Sequence, residues 1–404
     1  MSKYDDLFDD TAPTESVFAD KGALDPLADP AEIVAREAQE RELATILNGV
    51  HEGYLPPTVS IYGPPGTGKT LTARRVTQEF AARHDQVAVE YVNLKECRTI
   101  FSAANEICVA LTGEKKKAYV GLDGVFEAIW EALEAYPAWT VVILDEIDQL
   151  QHDTNYDPND FFYRLLRGEG KLKREINLSL WLLSNQLMEV DLRLDSRVES
   201  AMSDEAVFFP PYEKTALQAV LEPRLKQAFR EGALPEAVRT YGIANAAMRW
   251  GDARKALTLF RQAGETANEQ ALETVTGECI DVNLEHVEKA MIVEQLSRLP
   301  LQHILVLRAI TSWIEDATGE ISQPVTTAQI KQGYDQFEIP SAARIGDRAI
   351  RDVLTDLETM GLIETWIESK GREGRVKQIQ TTFDPTWVAE ANAARNVHNT
   401  PDAE

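Results

Sequence analysis

The chain is poor in the residues that build disulfide or metal frameworks. It has 3 cysteines and 6 histidines among its 404 residues. Cys97, Cys108 and Cys279 form no C-x-x-C pair, and the histidines are scattered without the spacing of metal ligands. We therefore expect reduced, packed cysteines, as in a cytoplasmic protein, and neither a disulfide framework nor a zinc site.

Long apolar runs are missing as well. No stretch approaches the roughly 20 apolar residues that a membrane-spanning helix needs, and the polar, acidic beginning of the sequence is unlike a signal peptide. With 44% hydrophobic residues the chain can still build cores, and 404 residues are enough for two or three domains. These features favour a cytoplasmic protein without a membrane partner.

Positive charge is scarce, because 41 Lys and Arg stand against 66 Asp and Glu, a net charge of -25. One interpretation of this excess is a generally soluble surface. The other is adaptation to the salt-rich cytoplasm of a halophile, which is favoured because the acidic residues are spread along the chain and not confined to a tail. Nucleic-acid binding by such a chain would require a local basic patch.

The motif that organises the chain is the sequence Gly-Pro-Pro-Gly-Thr-Gly-Lys-Thr at 63–70. It fits G-x-x-x-x-G-K-[ST], the phosphate-binding loop, and lies between a predicted strand, Thr58–Tyr62, and a predicted helix, Leu71–Arg83. In this context backbone N–H groups and the helix dipole bind anions. The residues expected to contact a nucleotide are Gly66, Thr67, Gly68, Lys69 and Thr70. We expect Lys69 to reach the β- and γ-phosphates and Thr70 to hold Mg²⁺.

The ends of two later strands carry candidate catalytic residues. The run 140–148 is hydrophobic and ends in acids, as expected for a central parallel strand. We expect Asp145 to bind Mg²⁺ and Glu146 to orient the attacking water. Leu178–Ser184 predicts a neighbouring strand, and the following Asn185 suits either a bond to the γ-phosphate or a simple turn. Alternating strands and helices predict a doubly wound α/β sheet.

Two other charged segments have open interpretations. We expect residues 96–121 to form a helical insertion, and it carries Lys115, Lys116 and Lys117, the one lysine triplet of the chain. This triplet suits either a solvated surface or a DNA contact, which the acidity of the rest of the chain favours. The pair Arg36-Glu37 before the phosphate loop suits either a solvated ion pair or a role at the nucleotide.

The last part of the chain has a different pattern from the helical stretch over 213–298. Its predicted helices and strands are Leu301–Ile314, Thr326–Tyr334, Asp347–Met360, Leu362–Glu368 and Val376–Phe383. Three helices and a hairpin predict a winged helix. Its basic residues, expected on the third helix and the hairpin, are Arg344, Arg348, Arg351, Lys370, Arg372 and Arg375. A protein-docking domain is the alternative, but two separate basic elements favour DNA.

Several segments together resemble one family. They are Leu-Asp-Ser-Arg-Val-Glu-Ser at 194–200, Phe-Pro-Pro-Tyr at 209–212, Gly-Asp-Ala-Arg-Lys-Ala-Leu at 251–257 and the glycine- and arginine-containing hairpin. With the phosphate loop, the chain resembles the archaeal origin recognition and cell division control initiators, which are AAA+ ATPases with a C-terminal winged helix. The similarity covers nearly the whole chain after its first residues.

The resemblance implies ATP or ADP as the nucleotide and roles for further residues. Tyr212 would pack near the adenine, Arg224 and Arg254 would face the nucleotide from the lid, and Asn185 would act as the sensor on the sheet. Arg197 would be offered to the ATP of a neighbouring subunit. Related members can carry a second basic residue four positions later, where this chain has Ala201.

The resemblance also implies the arrangement of domains and DNA contacts. The expected order is an acidic flexible tail (1–28), an AAA+ nucleotide-binding domain (29–212), a helical lid (213–298), a winged-helix DNA-binding domain (299–390) and a flexible tail (391–404). The recognition helix would enter the major groove and the wing the minor groove. The insertion over 96–121 lies where these initiators carry an extra element that contacts DNA.

Two functions from different classes remain open. One is an ATP-binding replication initiator associated with the nucleoid, which binds double-stranded origin DNA, helps recruit the replicative helicase and acts with other initiator subunits. Slow ATP hydrolysis would then serve as a switch. The other is a nucleotide-gated DNA-binding regulator with little turnover. A junction-migrating AAA+ motor fits the segments around Arg197 and Gly251 poorly.

Overall fold

The computed structural model describes residues 16–28, 30–97, 99–152, 157–167, 176–185, 195–203, 205–315, 321–337, 344–369 and 375–398. The chain divides into two compact units, one up to Asp281 and one from Val282 onward. Because this division falls inside a helix, Gly277–Arg298, each unit is described by itself.

A parallel sheet forms the centre of the first unit. Its strands are β1 (Thr58–Tyr62), β2 (Val87–Asn93), β3 (Trp139–Asp145), β4 (Asn177–Ser184) and β5 (Ala206–Phe208). They pair in the order β2-β3-β4-β1-β5, and each pairing is parallel. The carboxyl ends of the strands therefore lie at one edge of the sheet.

Helices cover both faces of this sheet, as expected for a doubly wound fold. They are α1 (Glu37–Asn48), α2 (Lys69–Ala81), α3 (Ile100–Thr112), α4 (Gly121–Glu134), α5 (Pro158–Arg167) and α6 (Ser196–Glu199). Side chains of β3 alternate between two cores: Val142 and Leu144 pack with α3 and α4, while Val141 and Ile143 pack with α1. This alternation explains why the strand is apolar along its whole length.

The insertion between β2 and β3 differs from the prediction of one helical stretch over 96–121. Helix α3 ends at Thr112, where Gly113 adopts the left-handed conformation. The lysine triplet then forms a non-helical connection to a 3₁₀ turn, Ala118–Val120, and α4 begins at Gly121. The insertion is thus a pair of packed helices with the lysines at their connection.

The predicted helical lid follows the sheet. Its helices are α7 (Lys214–Ala228), α8 (Glu236–Arg249), α9 (Ala253–Glu269) and the beginning of α10 (Gly277–Arg298). In α9 the residues Leu257, Phe260 and Ala263 are buried at helical spacing. Asp252 caps this helix by accepting hydrogen bonds from the backbone N–H groups of Arg254 and Lys255.

Residues 16–28, which we name the N-terminal strap, pack on the lid. Val17 and Leu24 are fully buried, and the rings of Phe18 and Phe229 lie 5.1 Å apart. The backbone N–H of Arg230 donates to the carbonyl of Val17 at 3.0 Å. The prediction of a flexible tail over 1–28 is therefore wrong for 16–28, because these apolar side chains have partners far along the chain. Residues 1–15 lie outside the described part.

The second unit has the predicted winged-helix fold. After α10 it contains α11 (Leu301–Ile310), β6 (Val325–Thr326), α12 (Thr327–Asp335), α13 (Asp347–Thr359), β7 (Ile363–Ser369), β8 (Arg375–Thr381) and α14 (Trp387–His398). The strands form an antiparallel sheet in the order β6-β8-β7. Helix α11 ends four residues before the predicted Ile314, which forms an isolated bridge with Ile321 instead.

The core of this unit corrects a second tail prediction. Helix α13 buries Ile350, Val353, Leu354 and Leu357, as their spacing predicts. Helix α14 also contributes to this core through buried side chains, Trp387, Val388 and Ala391. The expected flexible tail over 391–404 is therefore helical up to 398, because α14 packs its apolar side chains. Among the described helices, none is long and apolar enough to cross a membrane.

Candidate functional site

The candidate site lies at the carboxyl edge of the parallel sheet. β1 leads into the phosphate loop, β3 ends at Asp145, and β4 is followed by Asn185. Because β4 lies between β1 and β3, these ends converge on the first turn of α2. Polar side chains from three separate parts of the sequence therefore meet around Lys69.

Lys69 is folded onto its own loop. Its Nζ donates to the carbonyls of Gly63 at 2.6 Å and Pro64 at 2.9 Å, and its side chain is only 8% exposed. Burial lowers the pKa of Lys69 to about 8, although nearby carboxylates oppose this shift. An anion bound at the loop would supply the negative charge that the neutral carbonyls lack.

Asp145 has hydrogen bonds to both carboxylate oxygens. Oδ2 accepts from the Thr70 hydroxyl at 2.7 Å and from the Tyr91 hydroxyl at 2.9 Å. Oδ1 accepts from the backbone N–H of Glu146 at 2.9 Å. Since the Thr70 hydroxyl donates its hydrogen to Asp145, its oxygen lone pairs are available to a cation.

This donor set fits Mg²⁺, which is usually held by one or two carboxylates together with phosphate oxygens. Thr70 and Asp145 supply oxygen atoms only, and both adjoin the phosphate loop. Among the described residues no group of three or more His, Cys, Asp or Glu is arranged to hold a metal by itself. A cation at this site would therefore depend on the nucleotide.

Glu146 is held in an unusual conformation next to Asp145. Its φ of 58° lies in the left-handed region, which costs about 1–3 kcal/mol for a residue other than glycine. Burial raises the pKa of Glu146, and the neighbouring charges of Asp148 and Asp145 raise it further. A carboxylate with a raised pKa is a better proton acceptor, as a catalytic base requires.

Asn185 connects the neighbouring strand to the loop. Its Oδ1 lies 3.5 Å from Lys69 Nζ, and its Nδ2 lies 3.4 Å from Asp148 Oδ2. The other carboxylate oxygen of Asp148 is buried and has no hydrogen-bond partner in the described part of the chain. The side chain of Asn185 is thus placed at the phosphate loop and does not merely form a turn.

The lid contacts the phosphate loop directly. Gly66 has a φ of 70°, and any side chain there would collide with the carboxylate of Asp252. The backbone N–H of Ala253 donates to the carbonyl of Gly66 at 3.2 Å. Burial raises the pKa of Asp252, while Lys255 opposes the shift. The first turn of α9 therefore rests on the loop that would hold the phosphates.

Arg36 joins the loop to the hinge between sheet and lid. It is 4% exposed; its Nε donates to the carbonyl of Thr67 and its Nη2 to that of Pro210, both at 2.8 Å. Its guanidinium lies 3.8 Å from the ring centroid of Tyr212, a cation–π distance. Tyr212 Oη would in turn lie 2.9 Å from a Cβ added at Gly68. Arg36 therefore packs beside the phosphate loop and is not part of a solvated ion pair.

The two lid arginines differ in position. Arg254, in the first turn of α9, is exposed and close enough to Lys69 for its charge to lower the pKa of that lysine. Arg224 instead donates from Nε to the carbonyl of Ala23 at 2.8 Å and from Nη2 to that of Asp25. The prediction that Arg224 faces the nucleotide is corrected: it binds the backbone of the N-terminal strap.

This correction predicts different effects for the two arginines. Arg224→Ala should lower the free energy of unfolding by about 1–3 kcal/mol, because two carbonyls lose a charged donor, and should leave ATP affinity unchanged. Arg254→Ala should weaken ATP affinity with little loss of stability. Denaturant unfolding and titration with a fluorescent ATP analogue measure both quantities. Weaker ATP binding by Arg224→Ala at unchanged stability would restore the nucleotide-facing role.

Arg197 is exposed but paired. It lies in α6, and its Nη2 is 2.6 Å from Asp195 Oδ2 while 70% of its side chain remains exposed. Asp195 also caps α6 through the backbone N–H groups of Arg197 and Val198. Exposed ion pairs are weak and screened by salt. An action on a neighbouring subunit would require Arg197 to leave Asp195.

The lysine triplet is only partly free for an acidic ligand. Lys115 Nζ lies 3.6 Å from Glu106, and Lys116 Nζ lies 4.0 Å from Glu114. Lys117 is exposed. The structure therefore leaves the solvated surface and the DNA contact open as interpretations of this connection.

The described arginines at and before the start of α13 differ in their surroundings. Arg348 and Arg351 are exposed and three residues apart on α13, so they share a face of this helix. Arg344 precedes the helix, and its guanidinium binds Asp335 Oδ1 and the carbonyl of Phe337. The prediction that Arg344 lies on the third helix is therefore wrong, because this side chain fixes the end of α12.

The predicted basic hairpin is described only in part. Arg375 is the first residue of β8. Lys370 and Arg372 lie outside the described residues. The contribution of the wing to DNA binding accordingly stays a prediction.

Comparisons with known proteins match all three parts of this fold. Residues 56–184 match the sequence model of an AAA domain, residues 218–291 that of the Cdc6 AAA+ ATPase-type lid domain, and residues 294–391 that of the CDC6 C-terminal winged helix domain. The ORC1-type DNA replication protein of Pyrococcus furiosus is 32% identical over 387 residues, which cover 94% of this chain and 90% of that protein. The chain belongs to the archaeal ORC1-type DNA replication protein family.

Other members of this family agree over similar lengths. The ORC1-type DNA replication protein 4 of Haloarcula marismortui is 29% identical and aligns over 95% of this chain and 83% of its own length. The solved structure of the Aeropyrum pernix ORC1 protein in complex with DNA matches with a TM-score of 0.71 and 29% identity, covering 95% of this chain and 98% of that one. The fold is thus the AAA+ domain, lid and winged helix of the family.

Several residues of this ORC1-type site were missed or left open by sequence reasoning. Asp252 belongs to a segment used for the family resemblance, but its contact with Gly66 depends on the folded lid. Arg36 was noticed without an assigned role. Tyr91 precedes the end of β2 by two residues, and β2 pairs directly with β3. The sequence feature that could have indicated a role for Tyr91 is its hydroxyl, placed on the strand next to the one that carries Asp145.

Proposed function

We propose that this chain is a DNA replication initiator that binds ATP with Mg²⁺, recognises double-stranded origin DNA and helps recruit the replicative helicase, with slow hydrolysis as a switch. The observation that carries this proposal is the convergence of Lys69, Thr70, Asp145, Glu146 and Asn185 at one edge of the sheet. Membership of a family of DNA replication proteins supports it.

The nucleotide part of the proposal follows from the chemistry of this edge. Backbone N–H groups of the loop and the N-terminus of α2 favour phosphates. Lys69 would leave its two carbonyls for the β- and γ-phosphates, and Thr70 with Asp145 would hold the Mg²⁺ that neutralises them. Glu146 would orient the water and accept its proton, while Asn185 would fix it from the neighbouring strand.

The lid would report the state of the nucleotide. Asp252 and Ala253 already touch Gly66, so a shift of the loop around phosphates would move α9. Arg254, at the start of that helix, would bind the γ-phosphate only while it is present. Tyr212 would pack near the base, with Arg36 on one face of its ring. Loss of the γ-phosphate would therefore change the balance between lid positions.

Nucleotide binding to related folds supports this part. The solved structure of the Aeropyrum pernix ORC2 protein in ADPNP-ADP complexes matches this chain with 20% identity and a TM-score of 0.60. A relative from Haloarcula marismortui supports the proposal that the acidic surface is an adaptation to a salt-rich cytoplasm. Acidity of this kind would make DNA binding depend on few basic side chains.

A regulator with little ATP turnover is the second candidate, and the pairing of Arg197 favours it. Because Arg197 pairs with Asp195 at 2.6 Å, it would have to leave this carboxylate to act on another subunit, and hydrolysis by a single chain would lack its charge. Comparison of the ATPase rate of wild type with Asp195→Asn over a range of protein concentrations distinguishes the candidates. A rate that rises with concentration, and more steeply in the variant, favours the initiator acting with other subunits.

The DNA part of the proposal predicts a loss of affinity from two arginines of α13. Changing Arg348 and Arg351 together to Ala should cost on the order of 1–3 kcal/mol per specific contact, because both are exposed on one face of the helix. The measurement is fluorescence anisotropy with a labelled origin duplex at several salt concentrations. Because few cations are involved and acidic groups repel DNA, the salt dependence of the wild type should be shallow.

The matched control is Arg298→Ala. Arg298 is an exposed arginine of the same unit that pairs with Glu294 at 2.5 Å, and its loss should leave DNA affinity unchanged. Undiminished origin binding by the Arg348/Arg351 variant would remove α13 from the DNA site and favour a winged helix that docks on proteins. ATP binding should be the same in all three proteins.

A further inference from the structure

Tyr91 is a polar side chain of the site that the proposed mechanism leaves without a role. It lies on β2, whose residues Tyr91 and Asn93 are in register with Ile143 and Asp145 of β3. Tyr91 therefore lies on the same face of the sheet as Asp145, two positions earlier in the register. From there its hydroxyl reaches the carboxylate Oδ2 of Asp145 at 2.9 Å.

The direction of this hydrogen bond is fixed by a second one. Asn93 Nδ2 donates to the Tyr91 hydroxyl at 3.2 Å, so the oxygen of Tyr91 accepts from Asn93 and its hydrogen is directed to Asp145. The guanidinium of Arg74 lies 4.7 Å from the centre of the Tyr91 ring and restricts the ring from the side of α2. The hydroxyl is thus held in one place by groups on β2 and α2.

Asp145 is consequently held from two sides. Thr70, on α2, and Tyr91, on β2, both donate to Oδ2, while the backbone N–H of Glu146 binds Oδ1. Without Tyr91, only Thr70 and the backbone N–H of Glu146 would oppose rotation of the carboxylate about its Cβ–Cγ bond. The carboxylate could then follow Lys69, whose positive charge is close enough for Asp145 to oppose the lowering of the pKa of that lysine.

On the basis of the proposed function, we propose that Tyr91 is a positioning residue for the magnesium site. It keeps Asp145 oriented so that its oxygens and the oxygen of Thr70 face a cation together. Groups that hydrogen-bond to metal-binding carboxylates commonly affect metal affinity by about 10–100-fold. Tyr91 would thus determine the Mg²⁺ requirement of nucleotide binding without touching the nucleotide.

The test is Tyr91→Phe in the full chain, which removes one oxygen and keeps the ring under Arg74. The readout is the Mg²⁺ concentration that gives half of the increase in melting temperature at saturating ATP. Tyr91→Phe should raise this midpoint by about tenfold. ATP affinity in EDTA, measured with a fluorescent ATP analogue, should stay within about twofold of wild type, because the phosphate loop is unaltered.

A second tyrosine provides a matched control. Tyr136 donates to the carboxylate of Glu90 at 2.9 Å, and burial raises the pKa of both Tyr136 and Tyr91 to about 12. Tyr136→Phe therefore removes the same kind of hydrogen bond away from the phosphate loop. In the absence of nucleotide, Tyr136→Phe and Tyr91→Phe should both lower the melting temperature, but Tyr136→Phe should leave the Mg²⁺ midpoint unchanged.

A milder variant keeps the test decisive if Tyr91→Phe does not fold. Asn93→Ala retains the hydroxyl and removes the group that directs it, so the midpoint should rise by about two- to threefold, less than the loss of the hydroxyl itself. An unchanged midpoint in the folded variants, or an equal rise in Tyr136→Phe, would overturn the role of Tyr91 while leaving the proposed function intact. If ATP with Mg²⁺ does not change the melting temperature of the wild type, both the role of Tyr91 and the proposed function would be overturned.

Discussion

Lys69→Ala should abolish measurable ATP binding. The substitution removes the cation that the loop would place at the β- and γ-phosphates. Charge-assisted hydrogen bonds contribute about 1.5–3 kcal/mol each, so losing contacts to two phosphates should weaken binding by at least about 100-fold. Isothermal titration with ATP and Mg²⁺ measures the loss. Unfolding of the variant without nucleotide should be cooperative, because the buried ammonium is replaced by an apolar methyl group.

The protonation state of Lys69 in the free protein should make ATP affinity depend on pH. Its pKa of about 8 lies below the ordinary value, so above pH 8 the lysine of the folded, free protein is neutral. Phosphates favour the charged form, and binding above pH 8 must then take up a proton. ATP affinity should therefore fall by up to about tenfold per pH unit above pH 8. Lys69→Arg is the control, because a guanidinium stays charged over this pH range. The ATP affinity of this variant should therefore show no additional decrease above pH 8.

The lowered pKa of Lys69 should have the opposite effect on the stability of the free protein, which should increase with pH. Between pH 8 and the ordinary lysine pKa the unfolded chain binds a proton that the folded chain has released, so the free energy of unfolding rises with pH. Below pH 8 both states are protonated, and the cost of burying the charge is fully present. A protein whose stability rises while its ATP affinity falls over this range would support Lys69 as the cause of both. Parallel changes would contradict it.

Local patterns were sufficient to predict the sheet and its site. The alternation of Val141 and Ile143 against Val142 and Leu144 requires a strand buried on both faces, and the acids after it must then lie at the carboxyl edge. The phosphate loop fixes which helix N-terminus adjoins that edge. The positions of Lys69, Thr70 and Asp145 follow from these facts without knowledge of distant contacts.

The N-terminal strap could not be predicted in this way. Its apolar residues have no helical or strand period, and the acidic residues that precede it indicate a tail. The half-buried ring of Phe18 packs where Gly264, on α9, has no side chain. Arg224 binds two strap carbonyls about 200 residues earlier in the chain. Contacts of such separation depend on the finished fold, so the family resemblance and not the residues gave Arg224 its expected role.

Arg36 and Asp252 show a related limit. Each is a charged residue near an element boundary, where a solvated side chain is the common case. Arg36 is buried because its guanidinium satisfies two backbone carbonyls and stacks on Tyr212. Asp252 is buried because it caps α9 at the point where that helix meets Gly66. The burial of Asp252 requires the lid to be docked on the loop, and the burial of Arg36 requires residues 210–212 to pass beside the loop.

Glu146→Gln should separate binding from hydrolysis. The amide has the shape of the carboxylate but cannot accept a proton from water at neutral pH. ATP binding should therefore be retained while hydrolysis becomes about 100–10,000-fold slower, the usual contribution of a general base. Single-turnover hydrolysis of radiolabelled ATP, with ATP affinity measured in parallel, provides both numbers. Wild-type hydrolysis by this variant would exclude Glu146 as the base.

The raised pKa of Glu146 sharpens this prediction. Because the base acts in its ionised form, the hydrolysis rate should fall as the pH drops through this pKa. After burial, the charge of Asp148 is the largest cause of this raised pKa. Asp148→Asn should therefore move the acid limb of the pH–rate profile to lower pH, while Glu146→Gln should remove the limb. If Asp148→Asn instead leaves the limb in place and lowers the rate at every pH, Asp148 acts through its contact with Asn185 at 3.4 Å, and the limb belongs to another group.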